Sequence, residues 1–86
     1  MRSFTTRQFR EAYRGLPETV RERARRAYQL FLRDPSHPSL NFKKIDEQNN
    51  LYSARVSLGY RALAKRDGGD VVWYWIGPHG NYDRKV

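Results

Sequence analysis

Apolar and polar positions recur along this chain with two periods, and the places where the period changes divide it into elements. Phe9, Ala12, Tyr13 and Leu16 fall at helical spacing behind Thr5 and Gln8, a pair spaced like a capping box. The pattern predicts a short helix ended by Gly15. Pro17 suits the first turn of a second helix that runs to Arg33. On it Val20, Ala24, Ala27, Tyr28 and Phe31 form one apolar stripe, and Glu22 and Arg26 an i,i+4 pair on the other face. Helices joined this tightly predict an antiparallel hairpin.

The period then falls to two. Asp34 to Ser39 contains Pro35 and Pro38 and reads as a loop. Leu40 to Asp46 reads as an edge strand, and Glu47 to Asn50 as a turn. Tyr52 to Lys65 predicts a β-hairpin. A three-residue loop, Ser57-Leu58-Gly59, with Gly59 in the left-handed position, puts Tyr52, Ala54, Val56, Tyr60, Ala62 and Ala64 on one face. The other face then carries Ser53, Arg55, Arg61 and Lys65, with Leu63 its only apolar member. A two-residue loop mixes the faces. The favoured register therefore makes Arg55 and Arg61 neighbours across two strands. Asp67 to Asp70 is a turn into Val71-Val72-Trp73-Tyr74-Trp75-Ile76, an unbroken apolar run that predicts a strand covered on both faces. Gly77-Pro78 breaks it, and His79 and Tyr82 follow. With Phe4 starting a short first strand, the order predicts an α+β fold. An N-terminal two-helix hairpin packs on a twisted four- to five-stranded antiparallel sheet, as one domain over residues 1–86.

Composition adds the partner's sign. Seventeen Lys and Arg against nine Asp and Glu give a net charge of +8, which implies a polyanionic or acidic partner. There is no cysteine, so disulfides and thiolate metal sites are excluded. With two histidines, a structural zinc site is not expected, and no cofactor is. No segment reaches the length of a membrane span and no apolar leader is evident, so the expected location is cytoplasmic. No Ser-His-Asp arrangement and no phosphate-binding glycine loop is present.

In order and spacing the chain resembles the RelE/ParE superfamily of type II toxins. The resemblance is carried by Leu16-Pro17, Tyr28 and Phe31, Asp34-Pro35, Tyr52-Ser53-Ala54-Arg55-Val56, Gly59-Tyr60-Arg61, and Trp75-Ile76-Gly77 with His79 and Tyr82. It covers nearly the whole chain. It implies a helix hairpin on an antiparallel sheet and a cognate antitoxin as partner. For the RelE branch it implies metal-independent cleavage of mRNA on the ribosome, which inhibits translation. The ParE branch instead poisons DNA gyrase, and a fold-bearing relative without catalysis is a further alternative.

Cleavage of RNA without metal needs a base for the 2′-hydroxyl proton, cations for the pentavalent phosphate and an acid for the 5′-oxygen. By resemblance Arg55 and Arg61 contact the scissile phosphate, and His79 and Tyr82 are the acid–base pair, although Tyr82 follows Gly77 more closely than in the best-known members. Lys65 lies on the Arg55 face. Lys43 and Lys44 point to opposite faces, so one of them belongs to the site, with Lys44 preferred. His37 resembles a loop histidine that some members use to contact RNA. Trp73 and Trp75 offer rings for base stacking, with at least one expected in the core.

Overall fold

Thr6 opens the first helix: its Oγ1 accepts from the Phe9 amide at 3.1 Å in the computed structural model, which describes residues 1–80. Capping-box spacing predicts Thr5 for this role. Thr5 instead ends strand β1 (Arg2–Thr5), where its carbonyl and Oγ1 accept from Arg10. Helix α1 (Arg7–Arg14) stops at Gly15, and α2 (Glu18–Arg33) starts behind Pro17. The joint between them is tied by Arg21, which donates to the Leu16 carbonyl at 2.6 Å, and by Arg25, which donates to the Tyr13 hydroxyl at 2.6 Å. The expected Glu22–Arg26 pair does not form. Glu18 takes the ion pairs instead, to Arg21 and Arg25, because it lies before both on the side facing the joint.

After α2 a 3₁₀ turn (Pro38–Leu40) buries Leu40. Strand β2 (Lys43–Asp46) therefore begins three residues later than alternation suggests. Strands β3 (Leu51–Ser57), β4 (Tyr60–Asp67) and β5 (Asp70–Pro78) follow. The five strands are ordered β1-β5-β4-β3-β2. All neighbours are antiparallel except β1, which runs parallel to β5 with Ser3 beside Val71. The sheet is thus mixed at one edge rather than wholly antiparallel. β5 lies between β1 and β4, but the helices cover only one of its faces, and Val72 and Tyr74 are half-buried rather than covered on both faces as the apolar run suggests.

Both helices cover one face of this sheet. The α2 stripe is in the core, with Val20, Ala24 and Phe31 buried against Ala54, Ala62, Ala64, Val71, Trp73 and Ile76. The Phe31 ring meets the edge of Phe42 at 5.0 Å and of Trp73 at 5.2 Å between centroids, the arrangement that aligns ring edge with ring face. Ser3 Oγ accepts from both Tyr28 Oη and Trp73 Nε1, tying α2, β1 and β5 at one point. No helix among the described residues is long and apolar enough to cross a membrane.

Two bulges set what the other face carries. In β5, Leu63 pairs with Trp75 but Ala64 pairs with Trp73, so Tyr74 is an extra residue. Trp73 and Trp75 would share a face in a regular strand; the bulge sends Trp73 to the helices and Trp75 to the opposite side. It also brings Gly77 beside Arg61 on that opposite side. In β3, Arg55 pairs with Arg61 but Ser57 with Tyr60, so Val56 is extra. The hairpin therefore has the predicted pairing but closes through two residues, Leu58 and Gly59, and Gly59 does not take positive φ. With the extra residue taken up in β3, the shorter turn needs no left-handed glycine. Positive φ falls instead on Asn41, Asn50 and Gly68, the last in the turn between β4 and β5.

Candidate nucleic-acid interface

The sheet face turned away from the helices gathers the cations. Registered partners share a face, so Arg55 and Arg61 stand directly opposite each other. Lys43 joins them through its pairing with Ser53, and Lys65 through its pairing with Leu51. Lys44 does not: it pairs with Tyr52 on the helix side, lies over the Tyr52 ring and faces Glu47 at 3.5 Å. The preference for Lys44 is therefore corrected to Lys43, since a strand's side chains alternate and Ser53 fixes which side Lys43 takes. Arg55, Lys43 and Lys65 are exposed, and none has a carboxylate partner among the described residues.

Two like charges directly opposite each other destabilise a hairpin. An anion bound by both side chains would offset that cost. Arg61 is half-buried and its guanidinium is already oriented. Its Nη1 donates to the carbonyls of Ser57 at 2.8 Å, Leu58 at 3.3 Å and Tyr60 at 2.9 Å. The floor beside the pair is closed. Trp75 and Leu63 are buried there, and the Trp75 indole lies over Gly77. Neither tryptophan is open for base stacking, because both are buried and Trp73 is bonded to Ser3.

His79 follows Pro78, the partner of Tyr60, and its amide donates to the Gly59 carbonyl at 2.8 Å. Its backbone is thereby fixed at the tip of the hairpin that carries Arg61, and the residue is exposed. Tyr82 lies outside the described residues. His37 acts locally, on its own loop. Its Nδ1 accepts from the Ser39 amide at 3.2 Å, capping the 3₁₀ turn that buries Leu40. Among the described residues no group of three His, Cys, Asp or Glu side chains is placed to hold a metal ion.

A second feature lies on the helix side. A cavity of about 220 Å³ opens between the helices and the sheet, walled by Tyr13, Tyr28, Phe31 and Trp73 and bordered by Arg10 and Arg25. The pattern of the sequence places these rings in the core but gives no sign that they leave a space.

A sheet with a cationic face, backed by a helix pair, defines a class, and the sequence agrees with it: residues 18–84 match the family model of the ParE-like toxin domain, and the chain belongs to that family. Solved structures share the fold. RelE in the RelB–RelE antitoxin–toxin complex from Methanococcus jannaschii is 17% identical, with a TM-score of 0.76 over 96% of this chain and 98% of that one. RelE in the archaeal RelE–RelB complex from Pyrococcus horikoshii OT3 is 19% identical, with a TM-score of 0.72 over 92% and 94%. YafQ from E. coli strain BL21(DE3) is 10% identical, with a TM-score of 0.74 over 95% and 98%. No curated protein sequence matches the chain.

Proposed function

We propose that this chain is the toxin of a type II toxin–antitoxin pair and that it cleaves mRNA on the ribosome in the cytoplasm without a metal. The observation that carries this reading is the in-register Arg55–Arg61 pair on the sheet face away from the helices, where Arg55 is exposed and has no acid among the described residues to neutralise it. In this reading the mRNA backbone crosses the free sheet face. Lys43 and Lys65 hold flanking phosphates, the latter four residues or about 13 Å along β4 from Arg61. The 2′-oxygen attacks the adjacent phosphorus, its proton passes to the His79 imidazole, and Arg55 and Arg61 take the charge that builds on the phosphate oxygens. The P–O5′ bond breaks to leave a cyclic phosphate, and a proton returns to the 5′-oxygen, the role assigned to Tyr82. His37 is proposed to act only through the loop it caps.

The cognate antitoxin supplies apolar side chains for the cavity between helices and sheet and carboxylates for Arg10 and Arg25 at its border. Its binding stabilises the folded toxin by mass action. The test is purified protein added to ribosomes holding a defined mRNA, with chelator present and cleavage read by primer extension. Cleavage that Arg55→Ala lowers about 10²–10³-fold supports the reading. Intact mRNA in every lane contradicts it.

Membership of the ParE-like family favours one second reading, inhibition of DNA gyrase. Loss of gyrase supercoiling with intact mRNA selects it.

A further inference from the structure

The tip of the β3–β4 hairpin is built in a way that phosphate binding alone does not require. Its four successive carbonyls, from Ser57 to Tyr60, each accept a hydrogen bond from the candidate site. Arg61 Nη1 takes those of Ser57, Leu58 and Tyr60, and the His79 amide takes that of Gly59. Exposed turn carbonyls are ordinarily satisfied by water. Here they are held by two residues that the proposed chemistry also uses, which fixes the tip relative to the Arg55–Arg61 pair. What the fixed tip presents is a leucine. Leu58 is 87% exposed, more than any other large apolar residue described, at a turn position that ordinarily favours polar residues or glycine.

Isolated exposed apolar residues are common and need no explanation. A leucine on a turn whose every carbonyl is tied down is a different case, because a rigid apolar side chain binds with little further loss of freedom. Its surroundings indicate the partner. The strand ends beside it carry Arg55 and Arg61, and no acidic residue lies between Leu51 and Arg66 in the sequence. With the tip carbonyls masked by a guanidinium, the surface offers an apolar knob in a cationic field. A phosphate chain with unstacked bases meets both requirements, and leucine is among the apolar side chains that insert between base steps in bound DNA.

We propose that Leu58 is a contact for an unstacked base of the bound RNA, next to the nucleotide held by Arg55 and Arg61, and that Arg61 is also the positioning residue that fixes this knob. The inference rests on the reading of the chain as an mRNA-cleaving toxin and adds a base contact to its phosphate contacts.

The test uses Leu58→Asn, which keeps a residue that suits turns, and Leu58→Met, which keeps the apolar reach. Co-sedimentation with ribosomes holding a defined mRNA gives the affinity, and thermal melting checks the fold. Expected is about tenfold weaker binding for Leu58→Asn at an unchanged melting temperature, with Leu58→Met close to wild type, as partial burial of one leucine side chain gives. Hydrogen exchange at the His79 amide, which donates to the Gly59 carbonyl, should accelerate in Arg61→Lys and not in Arg55→Lys. The Leu58→Asn/Arg61→Lys double variant should lose less affinity than the two single losses combined, because both act through one knob. Wild-type binding by Leu58→Asn overturns the base contact while leaving the nuclease reading intact. Loss confined to the antitoxin complex makes Leu58 a protein contact and overturns it equally. A wild-type chain that fails to bind programmed ribosomes defeats both readings together.

Discussion

Gly77→Ala tests how the floor of the cationic face is built. A Cβ on Gly77 would lie 2.6 Å from Trp75 Cζ2, 3.1 Å from Cη2 and 3.2 Å from Cε2. Carbon atoms are at their optimum near 3.5–4.0 Å, so the new methyl is about 1 Å too close to the ring edge. The ring has little room to yield. Trp75 is 7% exposed, and its partner across the ladder, Leu63, is fully buried. Overpacking of this kind costs about 1–3 kcal/mol. In a domain of this size each kcal/mol lowers the melting temperature by about 4–8 °C, so the substitution should be obvious in a thermal melt. Tryptophan fluorescence should shift as well, because the indole must turn toward water or displace its neighbours. Trp75→Phe removes the colliding edge, and the Gly77→Ala/Trp75→Phe double variant should be less destabilised than the sum of the singles. Gly69→Ala, where a Cβ meets nothing within 4 Å, is the control. A Gly77→Ala protein that melts and fluoresces like wild type would refute this account of the floor.

Other substitutions probe the turns and caps. Gly68 has φ of +59°, so Gly68→Ala should cost about 1 kcal/mol in a denaturant titration, whereas Gly59→Ala, with neither positive φ nor a close neighbour, should cost little. Thr6→Ala removes the acceptor of the Phe9 amide and should lower stability by about 1 kcal/mol, while Thr5→Ala, at the position favoured by capping-box spacing, should not. Hydrogen bonds from the Asn49 side chain and amide, and from the Gln48 amide, hold the Asp46 carboxyl below its ordinary value of 3.8. A carboxyl lowered by folding stabilises the native state above its unfolded value. That contribution should be lost as pH falls from about 4 through the lowered value, and an acid titration of Asp46→Asn should show a shallower decline there.

Much of the fold is legible in local pattern. The stripe from Val20 to Phe31 specifies a buried helix face, and the separation of Tyr52, Ala54, Ala62 and Ala64 from Arg55 and Arg61 specifies the hairpin register, because a slip by one residue would bury the arginines. That reasoning brings Arg55 and Arg61 together from sequence alone. What escapes it depends on distant partners. Ser3 pairs with Val71, and no local signal in a four-residue strand announces a parallel partner that far away. The Tyr74 bulge is equally silent, since an unbroken apolar run looks the same with or without an extra residue. Yet that bulge moves Trp75 and Gly77 onto the free face beside Arg61. The choice between Lys43 and Lys44 also rests on a partner, Ser53, and not on either lysine's neighbours in sequence. The clamp of Arg61 on the tip carbonyls is invisible in the sequence because a side chain folding back on its own turn leaves no periodic trace.

The central claim is that the Arg55–Arg61 face acts on mRNA. It is tested most directly by inducing the chain in cells without an antitoxin and mapping the 5′ ends of their mRNA, wild type against Arg55→Ala. The account predicts new ends within coding sequences for wild type, together with arrested translation, and their near disappearance in the variant at equal protein level. The same set of new ends in both, or arrest with no new ends in either, would contradict it.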